Sequence, residues 1–598
     1  MFANTHTAGT EGLAKSVLRS RVLVAVVQAA ALYALSDAAA APRSWPATQA
    51  ALFTPLLLVF GYVPALVLLG LGQIRGRTLA AWAAIAAIVL AGLGCHDVLR
   101  GRMPDYAGTD ELWPSAHLWT TLTVGFFVAH VLVVDSIIER RLICPYPRHF
   151  DTAWKLGVQA CLAIAFVGVF WAVLILGAGL FKLIEIDLFT RLIEKRWFVF
   201  PATTLALAVS IHVTDVQPAL IRGTRSVVLT LFSWLLPLLA AILLGFLASL
   251  PFISLAPLWK THFACALLLF AAVQLVFFIN SCYQDGAAEK STSRIKRISA
   301  TAGALELAPI VALAAWALAL RVGQYGWTSE RILAAAVIAV AACYAIGYAV
   351  AVVRSPGWMK RLEITNLAAA YLFLALVLAL FSPVLDPARL MVASQMGRLR
   401  SGTVGADKFD FKALRFEGAR WGTAALEQLS QTRVGPDAEV IAARAKEALA
   451  LTSRYGGILR GEPQPTPAEM LKRITVFPAQ RTLPLQFLDD VFVKLDELRR
   501  PHCPAGQGAR CLARFVSLGP DLPEALVFVD SYSVGYLFEQ DSVGHWQKSG
   551  QLQGNFSCSG WRDDFERGDI GVKPHAWPDL VLGRHTVEIH AVPGGCQD

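Results

Sequence analysis

The feature that most constrains this chain is a succession of uninterrupted apolar runs that continues as far as residue 387. A helix rises about 1.5 Å per residue, so roughly 20 apolar residues cross a hydrocarbon core about 30 Å thick. Runs of this length recur about eleven times and exceed the strands of about ten residues that build membrane barrels. The predicted spans lie near residues 22–41, 49–72, 78–95, 114–136, 154–181, 198–216, 226–250, 262–283, 301–320, 331–353 and 365–387.

Composition supports the same fold class. Hydrophobic residues make up 55% of the chain and charged residues 16%, and the mean hydropathy is +0.52, which no ordinary soluble domain reaches. The net charge is +9, but the basic residues are not gathered on one aromatic-interleaved face, so nucleic acid is not an expected partner. The sequence predicts a polytopic α-helical membrane protein whose partner is the lipid bilayer.

The charges of the short loops predict an orientation. Basic residues are more numerous in the N-terminal segment and in alternate loops, for example Arg140 with Arg141 and the stretch 294–297. The positive-inside rule therefore predicts a cytoplasmic N-terminus in the inner membrane of a bacterium. Eleven crossings then leave the C-terminus in the periplasm. The segment 182–197 mixes basic, acidic and apolar residues and suits an amphipathic helix on the outer surface.

The first span admits a second interpretation. It follows a basic segment, and the run of alanines after Asp37 offers sites like those of a cleaved signal peptide. We expect the span to be retained, which gives a cytoplasmic N-terminal segment, 1–21, and a bundle, 22–387. Cleavage would leave ten spans and the same location for the C-terminus.

The remaining segment, 388–598, is predicted to be an extracytoplasmic α+β domain. Residues 421–453 have helical spacing in two pieces separated by Gly435 and Pro436. Strands are predicted at 511–518, 525–531, 534–539 and 586–591.

Cysteine placement provides a separate argument for the outer location. The segment contains Cys503, Cys511, Cys558 and Cys596, an even number that would pair in an oxidising compartment. Short spacing suggests Cys503 with Cys511 and Cys558 with Cys596, although four cysteines allow three connectivities. Free thiols in a cytosolic domain are the alternative. The spacing of these residues is not that of a zinc site.

Several stretches resemble a known bacterial family. They are Pro-Ala-Leu-Ile-Arg-Gly at 218–223, Leu-Phe-Ser-Trp-Leu-Leu-Pro at 231–237, Asn-Ser-Cys-Tyr-Gln-Asp-Gly at 280–286 and Phe-Asp-Phe-Lys-Ala-Leu-Arg-Phe-Glu-Gly-Ala-Arg-Trp-Gly at 409–422. They are similar to the membrane family labelled domain of unknown function 4153. The resemblance covers most of the chain and implies a multi-spanning membrane protein. It implies no reaction.

Ionisable and amide groups inside a bilayer are costly, so they are the candidate site residues. His212 and Asp215 are three residues apart and share a helix face, whereas His130 and Asp135 are five apart and do not stack. They either line a cytoplasm-facing vestibule for a cation or proton, or act as caps and interhelical hydrogen bonds. The candidates are His130, Asp135, His212, Asp215, Arg222, Asn280, Asp285 and Glu306.

No catalytic motif, cofactor site or metal site is recognisable, so an enzyme is not the favoured class. The favoured function is transport of a small solute, ion or lipid, with a periplasmic accessory domain. One alternative is an envelope scaffold or sensor whose periplasmic domain binds a protein partner. The other is a membrane enzyme acting on a lipid-linked substrate. The substrate and the oligomeric state are left open.

Overall fold

A computed structural model describes most of the chain. It leaves out residues 1–2, 41–42, 102–111, 185, 254–262, 287–291, 356, 436, 452–466, 495–500, 502, 504–510, 520–522, 531–533, 542, 553–559, 569, 571–579, 583–584 and 588–598. The described chain divides into two compact units, Met1–Ile441 and Ala442–Asp598. The sequence predicts that the C-terminal domain begins at 388, and the boundary between the two compact units follows Ile441.

The first unit is helical. Its helices are α1 Ala3–Ala38, α2 Ala50–Gly70, α3 Gly76–Leu99, α4 Ala116–Glu139, α5 Tyr146–Leu183, α6 Leu188–Ile193, α7 Arg196–Val216, α8 Pro218–Ser249, α9 Ala264–Tyr283, α10 Arg294–Tyr325, α11 Ser329–Arg354, α12 Leu362–Leu380, α13 Pro387–Arg400, α14 Phe411–Glu417 and α15 Ala419–Ser430. The next helix, α16 Ala438–Ala450, includes residues on both sides of the unit boundary.

The eleven predicted spans are confirmed as helices. Among the described residues, eleven helices are long and apolar enough to cross a membrane, and they are α1–α5 and α7–α12. The last of them ends at Leu380, whereas the prediction extended to 387. The helix ends before the apolar run does, because Pro383 and Pro387 follow it and proline interrupts a helical backbone. In the segment 182–197, the first two residues end α5, the last two begin α7, and the short helix α6 lies between them.

Local sequence explains where two of these helices begin and end. The hydroxyl of Ser115 accepts a hydrogen bond from the Leu118 backbone amide and caps the start of α4. The same helix ends at Arg140, whose backbone is left-handed with φ 52°. Asp386 caps α13 by accepting hydrogen bonds from the backbone amides of Ala388 and Arg389.

Small residues allow close packing in the centre of the bundle. A Cβ atom added to Gly303 of α10 would lie 2.8 Å from a methyl of Leu275 on α9. Ala300, Ala304 and Leu307 of α10 are fully buried in the same cluster. Small residues at helix contacts are the usual solution in lipid, where close van der Waals packing holds helices together.

Apolar side chains also cover the outside of the bundle. In α5, Ile164 is 70% exposed, and only 6% of the most apolar window of that helix is buried. Lipid is the solvent in which an apolar outer surface of this kind is stable.

The second unit contains a five-stranded sheet in the order β1-β2-β3-β4-β5. Strand β1 is parallel to β2, and the other neighbours are antiparallel. The elements are α17 Pro467–Arg473, β1 Ile474–Phe477, α18 Leu485–Leu488 with a π-helical turn Asp489–Lys494, β2 Cys511–Val516, β3 Ala525–Val529, β4 Gly535–Gln540, β5 Trp546–Leu552, α19 Trp561–Arg567, and a hairpin of β6 Leu580–Leu582 and β7 His585–Val587.

One face of this sheet packs against an aromatic core. Phe487, Phe528 and Phe538 are fully buried, and Trp546 lies edge-on to Phe487 with ring centroids 5.4 Å apart. Such edge-to-face contacts add to the free energy gained by burying the rings.

The disulfide predicted between Cys503 and Cys511 is present, with their Cα atoms 6.0 Å apart. Its two cysteines belong to the aromatic core of the sheet. Cys558 and Cys596 lie outside the described residues.

Candidate functional site

A hydrogen-bond network of two amides and two phenols joins four helices of the bundle. The side-chain oxygen of Asn280 on α9 accepts from the Asn366 amide of α12 at 2.6 Å and from the Tyr146 hydroxyl of α5 at 3.1 Å. The amide of Asn280 donates to the Tyr348 hydroxyl of α11 at 2.7 Å. Tyr348 in turn donates to Asn366 at 2.8 Å. We call these four residues the amide network.

A buried carboxylate lies near this network, at the junction of α4 and α5. Asp135 is fully buried and accepts hydrogen bonds from Thr152 at 2.7 Å, from Arg148 at 3.1 Å and from Nδ1 of His149 at 2.8 Å. These three donors lie in the first two turns of α5. Because Asp135 accepts from Nδ1, the imidazole of His149 is held in one orientation.

The other ring nitrogen of His149 is unsatisfied. Its Nε2 atom is buried and has no hydrogen-bond partner within the described residues, and the side chain is 8% exposed. A buried polar atom without a partner costs free energy comparable to a lost hydrogen bond, unless a ligand or water satisfies it. Nε2 of His149 is therefore the atom of this cluster with unused hydrogen-bonding capacity.

His149 and three members of the amide network line one cavity of about 400 Å³. Its volume lies within the range of small-molecule sites. His149, Tyr146, Asn280 and Asn366 contribute polar atoms, and no Asp, Glu, Lys or Arg lines it. The remaining lining residues are Phe127, Val128, Val131, Leu132, Phe150, Ala153, Trp154, Phe277, Ser281, Tyr344, Leu367 and Ala370.

A second polar cluster lies around Arg21 of α1, which is 1% exposed. Its guanidinium donates to Asp215 at 2.9 Å, to Nδ1 of His212 at 3.3 Å and to the backbone carbonyls of Leu68 and Leu71. Lys155 contributes a second cation, 3.3 Å from Asp215. We call Arg21, Lys155, His212 and Asp215 the ion cluster. Its charges are paired with one another.

A third cluster lies outside the last span. Asp386 is fully buried, 2.9 Å from Nε2 of His96 and 3.5 Å from the Arg100 guanidinium. Burial by itself would raise the pKa of Asp386, but the hydrogen bond with His96, the charge of Arg100 and two backbone amides outweigh it and lower that pKa below its ordinary value. The contact ties α13 to α3.

The eight residues predicted from sequence are therefore distributed over several places. His212 and Asp215 meet in the ion cluster, as their shared helix face predicted, while Asn280 and Asp135 belong to the cavity region. His130 accepts a hydrogen bond from Trp82 at 3.1 Å, and no described contact joins it to Asp135. Glu306 is 5% exposed, and neither carboxylate oxygen has a partner among the described residues.

The last two of the eight lie at helix ends. Arg222 is exposed in the first turns of α8, and Asp285 follows α9. No contact within the described residues joins Glu306 to His212 or Asp215. A single vestibule containing all three is therefore not observed among the described contacts.

Sequence reasoning missed the residues that complete these clusters. Arg21 is the last residue of the predicted cytoplasmic segment, 1–21, but it lies inside the helix that begins at Ala3. His149 and Tyr146 fall between the predicted spans 114–136 and 154–181, but Pro145 and Pro147 mark the N-terminus of α5, where proline is favoured. The available signal for Asn366 was an amide near the start of an apolar run.

No group of three or more His, Cys, Asp or Glu residues in the described part of the chain is placed to hold a metal ion. The polar atoms at the cavity are instead suited to hydrogen bonding with an organic solute.

Comparison with known proteins supports the resemblance seen in the sequence. The model of the family described as Domain of unknown function (DUF4153) matches residues 15–420. This range takes in the eleven apolar helices, the amide network and the ion cluster, but not the sheet unit. No curated protein and no solved structure matches the chain.

Proposed function

We propose that this chain, which belongs to the family Domain of unknown function (DUF4153), is a multi-pass membrane transport protein for a small polar organic solute. The solute would bind in the cavity lined by His149 and by Tyr146, Asn280 and Asn366 of the amide network. The observation that carries the proposal is the convergence of polar groups from α5, α9 and α12 on one cavity, where Nε2 of His149 has no partner among the described residues.

The membrane assignment is supported by the distribution of apolar surface. Eleven helices of sufficient length and apolarity carry large exposed hydrophobic side chains, such as Leu176 and Leu244. In water this surface would drive aggregation, whereas in a bilayer it contacts acyl chains.

The lining of the cavity supports a class of solute. Because no Asp, Glu, Lys or Arg lines the cavity, a bare ion would lack a counter-charge. Aromatic walls such as Trp154 and Phe277 suit the apolar part of an organic molecule, and the amides and Nε2 suit its polar groups. We expect an uncharged or zwitterionic solute with both kinds of surface.

The proposed orientation keeps the N-terminus in the cytoplasm and the sheet unit in the periplasm of a bacterial inner membrane. Loop charge supports it, as does the Cys503–Cys511 disulfide, since disulfides persist in oxidising compartments. Alkaline phosphatase fused after residue 598 should be active. An inactive but stably expressed fusion would contradict the orientation.

A transport cavity must open to both sides of the membrane, which can be tested without knowing the solute. We would place a single cysteine at Ala370, which lines the cavity, after replacing the free cysteines but keeping Cys503 and Cys511. A membrane-impermeant thiol reagent should label it both in right-side-out and in inside-out vesicles. The control is Ala304→Cys, at a fully buried position that does not line this cavity.

The outcome also separates the alternative functions. Labelling of Ala370→Cys from one side only would fit a sensor or a membrane enzyme that binds its ligand without moving it. Absence of labelling from both sides, with the protein folded, would contradict a solute cavity and favour a scaffold.

A further inference from the structure

A second and larger cavity of about 630 Å³ lies on the bundle surface between α3, α4 and α12. Several of its lining side chains are exposed: Leu142 is 89% exposed, Leu378 48% and Tyr371 40%. The cavity is therefore a groove that is open at the surface of the bundle. We call it the lateral groove.

One end of the groove is polar and the rest is apolar. Its walls are apolar except at one end, where Arg140 and Arg141 follow the C-terminus of α4. Ser136 and Tyr371 are also at this end, and both donate hydrogen bonds to the backbone carbonyl of Leu142, at 3.2 Å and 3.4 Å. These bonds hold the turn that carries the two arginines.

The two arginines are available to a ligand. Both are exposed, and neither forms an ion pair within the described residues. The adjacent Glu139 lies 3.9 Å from Arg148, which also contacts Asp135, so Arg148 partly neutralises the nearest carboxylate. The polar end of the groove therefore has a net positive charge.

The groove is longer than the hydrocarbon part of one leaflet. Along α4 the lining extends from Leu122 to Arg140, which at the helical rise is roughly 27 Å, against about 15 Å for half of the hydrocarbon core. An acyl chain lying along α4 therefore fits within the groove while its headgroup lies beside the arginines.

We propose that the lateral groove binds a phospholipid with an anionic headgroup. The acyl chain would pack between α3 and α12, and the headgroup phosphate would accept hydrogen bonds from Arg140 and Arg141. Arginine is well suited to phosphate because its planar fork donates two parallel hydrogen bonds. The occupant follows from charge complementarity at one end and from an apolar channel at the other that is long enough to hold an acyl chain. The proposal does not depend on the solute cavity.

The test uses the full-length protein purified in detergent and titrated with phosphatidylglycerol or phosphatidylcholine, with bound lipid counted by native mass spectrometry. Replacing both arginines, Arg140→Gln with Arg141→Gln, should weaken phosphatidylglycerol binding by a factor on the order of twenty. Phosphatidylcholine binding should change much less. High salt should weaken phosphatidylglycerol binding to the wild type more than to the variant.

The matched control is Arg75→Gln with Arg77→Gln, which makes the same change of charge at two exposed arginines that do not line the groove. Its phosphatidylglycerol affinity should stay within about twofold of the wild type. Equal loss in both double variants would overturn the proposal, because it would mean that general surface charge attracts the lipid. Unchanged binding in the Arg140/Arg141 variant would also overturn it.

A variant that fills the groove tests the acyl-chain contact. Ala129→Trp places a large ring among the apolar lining residues and should reduce binding of both lipids. Its thermal unfolding must remain cooperative for the comparison to count. If inorganic phosphate bound to the arginines as tightly as phosphatidylglycerol, or if a second copy of the chain occupied the groove in lipid-free detergent, the proposal would be wrong.

Discussion

The polar lining of the solute cavity and the ion cluster both bury polar groups at the end of the bundle that loop charge predicts to be cytoplasmic. They differ in whether hydrogen-bonding capacity is left for a ligand. In the ion cluster the guanidinium of Arg21 donates hydrogen bonds to Asp215, His212 and two backbone carbonyls. Around the cavity, Nε2 of His149 has no partner among the described residues. Buried polarity in a helical bundle therefore indicates function only where hydrogen-bonding capacity is left for a ligand.

Removing Arg21 is expected to have the largest effect on stability. Arg21→Met leaves two backbone carbonyls without their donors and deprives Asp215 of its closest cation, and Lys155 replaces only part of that interaction. We expect the free energy of unfolding to fall by about 3 kcal/mol. Thermal unfolding in detergent measures it.

The control for that prediction is Arg19→Met, at an exposed position two residues away, which should change the unfolding free energy by less than about 0.5 kcal/mol. Equal effects from the two substitutions would contradict a structural role specific to the ion cluster.

Asp386 tests whether another fully paired cluster behaves in the same way. Asp386→Asn leaves His96 and Arg100 without their anion and should cost about 2 kcal/mol near neutral pH. Because the folded protein lowers the pKa of Asp386, its stabilisation is present above the ordinary pKa and is lost as the pH falls through the folded-state value.

The gap in melting temperature between wild type and Asp386→Asn should therefore narrow as the pH falls below about 4. The measurement is a series of thermal melts at several pH values. A gap that widened in acid would contradict the lowered pKa.

Asn280 tests the amide network. Asn280→Leu removes the acceptor of Asn366 and Tyr146 and leaves polar atoms without partners, so we expect a loss of about 1–2 kcal/mol in unfolding free energy. The larger effect should be on the cavity, where labelling of Ala370→Cys should change. A variant with unchanged stability and unchanged labelling would show that the network holds neither the cavity nor the bundle.

The smallest effect is expected at Glu306, which belongs to neither cluster. Its carboxylate is buried without a partner among the described residues, so the uncharged Glu306→Gln should not lower the unfolding free energy and should raise it by up to about 1 kcal/mol. Thermal unfolding again measures it. A loss of stability or of transport in this variant would show that the Glu306 carboxylate has a role. It would contradict the expectation that this charge contributes to neither.

The sequence predicted what depends on length and composition. All eleven apolar helices were found, because a span needs only roughly 20 apolar residues and lipid permits little other than a helix. The sequence could predict that His212 and Asp215 lie close together, because residues three apart share a helix face, and both contact Arg21. The hydrogen bond between Asn280 on α9 and Asn366 on α12 could not be predicted, since no local spacing rule connects residues 86 apart.

The sheet unit shows the same limit. Strand β3 reads Ala-Leu-Val-Phe-Val, is buried throughout, and was predicted from its β-branched and aromatic residues. Strand β5 reads Trp-Gln-Lys-Ser-Gly-Gln-Leu and was missed, because it lies at the edge of the sheet and its polar residues resemble those of a loop. The short parallel strand β1 was missed as well, since its pairing partner β2 lies beyond a helical stretch.

Helix α4 separates the two proposed binding regions, and Leu132 lines both the lateral groove and the solute cavity. A lipid that binds more tightly to one position of α4 than to another would change the free energy of solute binding. By thermodynamic reciprocity the solute changes the affinity for lipid by the same factor. The composition of the surrounding leaflet would then act as an allosteric effector of transport, and the protein would respond to its membrane as well as to its solute.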